Sequence, residues 1–463
     1  MVAIAPFKGV TYSKHELTEA GGRLIAPPYD VLTPAQRAEL HALHPHNFLH
    51  LDLGPVLDGD GDAMTWHARS AELLSNWLAS GVLIRRNQPA IALTDTEWSH
   101  PVTGRRMTRH GMMALMRLEE PGRDSRVRPH EKTFSWHKRE RLDLMRKTCA
   151  HLSPVFGFFP DPDNHVLRTF FDLSSVDPDI CVTETSGLKH NVSFINEWGG
   201  LSKLVDALAG VTVYIADGHH RYETALKYRR EVLAEMERNG QRPAANSAVD
   251  YIFMYLCPMS DPGLCVLPTH RVLSCVSLSN SEILTALEPY AEIKSYALNG
   301  VDKNPTAQDE LTCKLFDDRR KGLTVFGLFL EGADSLHFVK IRERVKKELI
   351  RAQPQEADLT VLDVTVLTNV IFKEALGLTE TDLDNPACID YFAGIDEAFA
   401  QVRSGAGRAA FILNPASLEE IMRVTECGLI MPRKATYFFP KVSNGLVFNL
   451  VDPMESVQIR DRD

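Results

Sequence analysis

Five consecutive residues at positions 217–221 read Asp-Gly-His-His-Arg, which places an acid, a glycine and three basic side chains together. Alternating apolar residues at 211–216 predict a half-buried strand, and residues 219 to about 237 favour a helix. A strand that enters a helix through glycine leaves the first helical N–H groups without intrahelical partners. These groups, the helix dipole and a guanidinium all suit a phosphate oxygen. We therefore expect Gly218, His220 and Arg221 to bind phosphate, although a capping or solvent-facing role explains the histidines equally well.

Asp217 adds a carboxylate at the same point, which could hold Mg²⁺ or accept a proton. A second candidate stretch contains His130, Glu131 and Lys132 in a loop after Pro129. A carboxylate partly removed from water has a raised pKa, so Glu131 could act as a general base, while Lys132 could balance anionic charge. A solvated charge cluster explains the same residues, and the residues alone favour that simpler interpretation.

Two further stretches place cations beside apolar or aromatic residues. Arg433, Lys434 and Lys441 flank a Tyr-Phe-Phe run that we expect to pack in the core, and the three cations could face a cleft. His270 and Arg271 close a predicted strand and could reach the same site. An ordinary hydrogen-bonded histidine and surface cations explain these positions too.

Composition limits the class of protein. The 463 residues are 44% hydrophobic and 24% charged, with a formal net charge of −10, which argues against binding to nucleic-acid backbone. No apolar run approaches the length of a membrane span, and the first residues do not resemble a secretion signal. The eight cysteines form no CxxC pair and predict buried free thiols in a reducing compartment. We expect a cytoplasmic protein that acts on a small molecule; its oligomeric state is not predicted.

The predicted elements mix hairpins with helices, which favours an α+β fold over a regular α/β barrel. Hairpins are predicted at 90–118 and 179–195, and a helix at 359–376. We expect an N-terminal α/β region at 1–120, a core at 121–278 that contains the Asp-Gly-His-His-Arg element, and a C-terminal α/β domain at 279–463. No GxxxxGK[ST], GxGxxG or GxSxG motif is present.

Several segments in the same order resemble the DUF1015 family of bacterial and archaeal proteins, and the resemblance spans nearly the whole chain. The segments lie at 26–31 (APPYDV), 47–51 (NFLHL), 129–133 (PHEKT), 215–225 (IADGHHRYETA), 268–271 (PTHR) and 431–441 (MPRKATYFFPK). We identify the chain as a member of this family.

The Asp-Gly-His-His-Arg element is also similar to the phosphate-binding turn of the ParB/sulfiredoxin-like fold, which includes free-serine kinases. This resemblance implies a mixed-sheet ParB/sulfiredoxin-like core and a kinase that moves phosphate from ATP or ADP, with Mg²⁺, to a hydroxyl acceptor such as L-serine. It implies that Asp217 orients phosphate or Mg²⁺ or activates the hydroxyl, and that His219, His220 and Arg221 hold the phosphates. Glu131 is our candidate for the catalytic glutamate, which lies outside this motif in those kinases.

A ParB-like regulator that binds a nucleotide with weak or no hydrolysis is the alternative that the same resemblance leaves open. Such a regulator would need a protein or DNA partner. The net charge and the lack of a helix-turn-helix pattern argue against DNA.

Overall fold

The chain forms two compact units in the computed structural model. The first contains residues up to 265 together with residues from 440 onward, and the second contains residues 266–439. The structure describes residues 4–55, 63–122, 124–131, 135–174, 177–297 and 305–458. The three-part division made from the sequence stays a prediction.

A nine-stranded mixed sheet forms the centre of the first unit. Eight strands follow the spatial order Val127–Arg128, Val213–Asp217, Val155–Phe159, Tyr251–Pro258, Arg106–Arg117, Ile91–Ser99, Lys189–Ile195 and Ile180–Thr183, and Ile4–Ala5 pairs with Arg106–Arg117. Val213–Asp217 runs parallel to Val127–Arg128 and antiparallel to Val155–Phe159. Two small two-stranded sheets join Val10–Tyr12 to Leu83–Arg85 and Ala150–His151 to Asn449–Leu450.

Helices surround this sheet in the first unit. They are Lys14–Glu19, Pro34–Leu43, Leu49–Asp52, Ala63–Ala79, Ser135–Thr148, His165–Leu173, Trp198–Ala207 and His219–Arg238, with 3-10 turns at Tyr29–Val31 and Ala248–Asp250. Within the described part of the chain, none of the helices has the length and apolar character needed to cross a bilayer.

The helix His219–Arg238 packs on the sheet directly after the strand Val213–Asp217. Tyr222, Ala225 and Leu226 belong to the same buried apolar cluster as Val213 and Ile215. The side chains at 222, 225 and 226 lie on one helical face because residues three or four apart share a face. The strand and helix predicted around positions 217–221 are therefore both present.

The second unit has a six-stranded antiparallel sheet. Its order is Ala291–Ala297, Ser335–Ile341, Val325–Leu330, Ala409–Ile412, His270–Leu273 and Ile389–Phe392. Short strands Cys265–Leu267 and Tyr437–Phe439 lie near the ends of this stretch of sequence. The helices are Asn280–Leu287, Pro305–Arg320, Glu343–Ala352, Ala357–Thr360, Asp363–Val366, Glu380–Asp384, Ile395–Arg403 and Leu418–Glu426, with a 3-10 turn at Pro354–Glu356 and a π-helix at Leu367–Ala375.

The large mixed sheet with flanking helices confirms a mixed α/β architecture of the α+β kind. Both predicted hairpins are present, as Ile91–Ser99 with Arg106–Arg117 and Ile180–Thr183 with Lys189–Ile195. The single helix predicted at 359–376 is wrong. Leu362 has extended backbone angles that end one helical segment, and a π-helix replaces α-helical pairing from Leu367.

The prediction of buried free thiols is also wrong for most of the cysteines. Cys275 and Cys388 form a disulfide, with Cα atoms 4.8 Å apart. Four of the remaining six are exposed: Cys149, Cys181, Cys313 and Cys427. Cys257 is buried on the strand Tyr251–Pro258, and Cys265 is partly buried. Cys181 lies on the strand Ile180–Thr183, where alternate residues face opposite sides, and Cys313 lies on the helix Pro305–Arg320, so apolar neighbours in sequence did not predict burial.

Tyr222 fastens the helix His219–Arg238 to the end of a central strand. Its hydroxyl donates to the carbonyl of Glu119 at 2.9 Å and accepts from the Glu119 N–H at 3.0 Å. We expect Tyr222→Phe to lower the free energy of unfolding by about 1–3 kcal/mol, because two backbone groups lose their partner. Urea denaturation measures the change. Lys227→Ala, on the exposed side of the same helix, is the control and should stay within about 0.5 kcal/mol of wild type. An equal loss in both variants would contradict this anchoring role.

Candidate functional site

The strand Val213–Asp217 turns into the helix His219–Arg238 through one residue with left-handed backbone angles. Gly218 has φ +89°, and a Cβ at this position would lie 2.9 Å from Nε of Arg221. Both the angle and the close contact favour glycine. Gly218 is the N-cap of the helix and provides no side-chain hydrogen bond to the first turn. The helix start therefore presents the positive end of its dipole without a side-chain cap.

Asp217, at the end of that strand, lies between two cations. Its Oδ2 accepts from the Arg221 guanidinium at 2.5 Å, and its Oδ1 accepts from the Lys441 ammonium. The exposed fractions of the three side chains are 14%, 10% and 15% for Asp217, Arg221 and Lys441. The three charges are thus largely removed from water, where an unpaired charge would be costly.

Burial alone would raise the pKa of Asp217, but the charges of Lys441 and Arg221 outweigh it and hold that pKa well below its usual range. Burial would lower the pKa values of Arg221 and Lys441, and the Asp217 carboxylate reverses this and raises both. All three groups are therefore charged near neutral pH. Asp217 is therefore a poor base, and the Asp30 carboxylate adds a further negative charge that acts on both cations.

The Lys441 ammonium reaches the turn because its backbone is fixed from two sides. The buried guanidinium of Arg109 donates through Nη1 to the carbonyl of Pro440. Three residues after Lys441, Asn444 forms a pair of backbone hydrogen bonds with Ala26, of 2.8 and 3.1 Å. The C-terminal segment is thus held in the first unit, and this places a residue from position 441 beside one from position 217.

Two buried histidines meet behind the turn. The N–H of His130 donates to Nε2 of His219 at 3.1 Å, and the two rings make an edge contact with centroids 4.6 Å apart. Burial lowers the pKa of His130 to about 4 and that of His219 well below its usual value, so both are neutral at pH 7. A neutral imidazole that accepts at Nε2 carries its proton on Nδ1. That atom lies 3.8 Å from the Glu131 carboxylate.

The structure thus brings together, in the first unit, six of the residues selected from the sequence: His130, Glu131, Asp217, His219, Arg221 and Lys441. Gly218 and His220 complete the turn, and His220 is partly buried. Lys132 lies outside the described residues.

The remaining selected residues belong to the second unit. His270 is buried and its Nδ1 accepts from the Leu413 N–H at 3.2 Å, and burial lowers its pKa to about 3. Arg271 is buried and donates to the carbonyls of Thr269 and Lys434. Burial lowers the pKa of Arg271 to about 10, although Tyr391 opposes this shift.

Arg433 pairs with Asp384 at 2.8 Å on the surface of the second unit. Lys434 is exposed and has φ +54°. Their roles in binding stay predictions.

Sequence reasoning missed a second buried charge network in the first unit. Arg141 donates to Oδ1 of Asp52 at 3.1 Å, its guanidinium lies 3.9 Å from the ring centroid of Tyr29, and Asn444 donates to Oδ2 of Asp52 at 3.0 Å. Only the sequence neighbours of these residues could have drawn attention to them, because Tyr29 follows two prolines and Asp52 follows the Asn47–Leu51 segment. Neither residue type alone indicates a buried network.

The described residues contain no group of three or more His, Cys, Asp or Glu side chains that could hold a metal ion. Both carboxylate oxygens of Asp217 contact cations, so the side chains around it do not fit a metal site of their own. That Asp217 binds Mg²⁺ stays a prediction.

The chain belongs to the DUF1015 family, described as "Protein of unknown function", whose model matches residues 4–365. No curated protein matches the chain.

Solved structures with some similarity include a conserved hypothetical protein from Pyrococcus furiosus, at 13% identity and TM-score 0.29, covering 68% of this chain and 89% of that one. A mutant free serine kinase in complex with ADP has 12% identity and TM-score 0.31, covering 70% and 89%. A free serine kinase in complex with AMP has 13% identity and TM-score 0.30, covering 70% and 88%. Similarity at this level carries no argument about what this chain binds.

The buried charges of Asp217, Arg221 and Lys441 make a testable contribution to stability. We expect Asp217→Asn to lower the free energy of unfolding at pH 7 by about 3–5 kcal/mol, because two buried cations lose their counter-charge. The folded pKa of Asp217 lies below the unfolded value of about 3.9, so its charge stabilises the fold fully above that value. This contribution is lost as the pH falls towards the folded pKa.

Urea denaturation between pH 7 and pH 3 measures the effect. The difference between wild type and Asp217→Asn should shrink below about pH 4. Asp163→Asn, at an exposed position, is the control and should change stability by less than about 0.5 kcal/mol at either pH. A wild-type advantage that stays constant down to pH 3 would contradict the charge assignment.

Proposed function

We propose that this protein is a small-molecule kinase, which transfers the terminal phosphoryl group of ATP or ADP to a hydroxyl acceptor such as free L-serine. The observation that carries the proposal is the pairing of Arg221 and Lys441 on Asp217 beside an uncapped helix start. Cations aimed at one point and a helix N-terminus are the groups that bind and neutralise a transferring phosphate.

Asp217 acts here as a positioning residue. Its carboxylate holds the guanidinium and the ammonium in place before any phosphate arrives, so little reorganisation is needed on binding. When the nucleotide binds, its phosphate oxygens share the two cations with Asp217. Mg²⁺ belongs to the proposal only as a partner of the nucleotide, since the side chains around Asp217 form no metal site.

Glu131 is the proposed catalytic base. Its carboxylate is 39% exposed and thus open to an incoming ligand, and it lies 3.8 Å from Nδ1 of His219, beyond hydrogen-bond distance. In the reaction the acceptor oxygen forms a bond to the terminal phosphorus, and the bond from that phosphorus to the bridging oxygen breaks. The hydroxyl proton passes to Glu131, and ADP or AMP leaves with the bridging-oxygen charge.

The finer fold assignment is part of the same proposal. The Val213–Asp217 strand, the Gly218 turn and the following helix would be the phosphate-binding element of a ParB/sulfiredoxin-like core. The roles of His220, Lys132, His270, Arg271, Arg433 and Lys434 as nucleotide ligands are included as proposals from the sequence.

We expect the purified protein to bind ADP and to produce a phosphorylated hydroxyl compound from ATP or ADP, detected by ³¹P NMR with a panel of amino acids. Glu131→Gln should lower kcat by about 10²–10⁴-fold, the usual range for loss of a general base, and leave the Kd for ADP within about twofold. Glu72→Gln, on the helix Ala63–Ala79, is the control and should keep full turnover. Nucleotide binding without transfer to any acceptor would contradict the kinase proposal and favour a nucleotide-binding regulator.

We expect Lys441→Met to weaken ADP binding by about tenfold or more, because a charge-assisted contact to phosphate contributes about 1.5–3 kcal/mol. Methionine keeps most of the apolar stem, and Arg221 still pairs with Asp217. Isothermal titration calorimetry measures the change, with Lys227→Met on the exposed side of the helix as control. Equal affinity in the two variants would show that phosphate binds away from Lys441.

A further inference from the structure

A cavity lies on the other side of Arg221 within the first unit. It has a volume of about 50 Å³ inside a recess of about 430 Å³ that includes open solvent. The polar residues in its wall are Tyr29, Asp52, Arg141, His151, Ser153, Arg221 and Thr224. One water molecule needs only about 10–15 Å³ of such space, so the cavity exceeds the size of a single-water site.

Polar atoms in this wall have no hydrogen-bond partner among the described residues. They include both ring nitrogens of His151, the hydroxyl of Thr224 and Nε of Arg141. The exposed fractions of these residues are only 6%, 4% and 6%. Buried polar groups in native proteins are almost always paired, so several orphans around one cavity call for a ligand or ordered water.

The chemistry of the orphaned atoms defines what fits. Burial lowers the pKa of His151 to about 3, so the ring is neutral and offers one donor and one acceptor. Thr224 also donates and accepts, which makes the pair suited to a hydroxyl group. Arg141 Nε–H is a donor only, and together with the Arg221 guanidinium it suits a carboxylate.

Arg221 connects this cavity to the proposed phosphate site. Its guanidinium contacts Asp217 and the carbonyl of Pro154, and the same side chain forms part of the cavity wall. Arg221 therefore contacts both the Asp217 turn and the recess.

We propose that the recess behind Arg221 is the acceptor site, and that it takes a small molecule carrying both a carboxylate and a hydroxyl group. The inference rests on the proposed function, because it identifies the ligand of the recess with the phosphate acceptor. Arg141 and Arg221 bind the carboxylate, and His151 with Thr224 selects the hydroxylated compound. An amino acid such as L-serine and a hydroxy acid such as D-glycerate share this chemistry.

The test compares ligand binding with nucleotide binding in the full-length protein. Thr224→Val removes the orphaned hydroxyl at nearly constant shape, and His151→Phe removes both orphaned nitrogens. Neither residue belongs to the proposed nucleotide site. Thr312→Val, at an exposed position of the helix Pro305–Arg320 in the second unit, makes the same chemical change away from the cavity and serves as the control.

Isothermal titration calorimetry then measures the Kd of each variant for L-serine, D-glycerate, L-alanine and ethanolamine. We expect L-serine or D-glycerate to bind wild type and the control. L-alanine and ethanolamine, which lack the hydroxyl or the carboxylate, should bind at least about tenfold more weakly. Thr224→Val and His151→Phe should each weaken the hydroxylated ligand by about tenfold or more and leave the Kd for ADP unchanged. Stronger binding of L-serine than D-glycerate would assign an amino acid, and the reverse a hydroxy acid.

Two results would overturn the inference while the proposed function stands. One is ADP binding and phosphate transfer with acceptor affinity unchanged in both cavity variants. The other is a crystal structure with acceptor bound elsewhere and only ordered water in the recess. Failure of the protein to bind ADP at all would count against the proposed function instead.

Discussion

The contact on which the site depends is the pair of cations held by Asp217. Arg221 comes from the helix that follows the turn, and Lys441 comes from the C-terminal segment, 224 positions away from Asp217 in sequence. A buried carboxylate with two cations is stable only if the geometry is fixed, since each charge loses its hydration. The surrounding structure supplies that constraint through Arg109, which holds Pro440, and through Gly218, whose missing side chain leaves room for the guanidinium.

The pairing of Asp217 with two cations also determines which residue can accept a proton. With its pKa held far below the usual range, Asp217 remains an anion and is a poor proton acceptor. In the proposed reaction the proton must therefore pass to another group, and our candidate is the partly exposed Glu131, whose carboxylate lies 3.8 Å from Nδ1 of His219. The buried network of Arg141, Asp52 and Tyr29 forms a second polar environment, and Arg221 contributes to both.

Local pattern was enough to predict the strand, the glycine turn and the helix at 213–238, because alternation and helix propensity act over neighbouring residues. It also predicted both hairpins of the large sheet. It missed the strand Ala291–Ala297, whose residues are mostly exposed or half-buried, and it could not predict the interruption at Leu362. The Asp217–Lys441 contact and the Arg141–Asp52 pair depend on long-range packing, for which a single sequence carries no spacing signal. A resemblance could select residue 441 but could not say what it contacts.

The most direct test of the central claim is a crystal structure of the protein with ADP. If Asp217 holds two cations for a phosphate, the terminal phosphate of ADP should lie at the start of the helix His219–Arg238. Its oxygens should lie within about 3 Å of the Arg221 guanidinium and the Lys441 ammonium, the usual length of a charge-assisted hydrogen bond. Density for ADP at another place, with the Asp217 pairs unchanged and closed to ligand, would contradict the account.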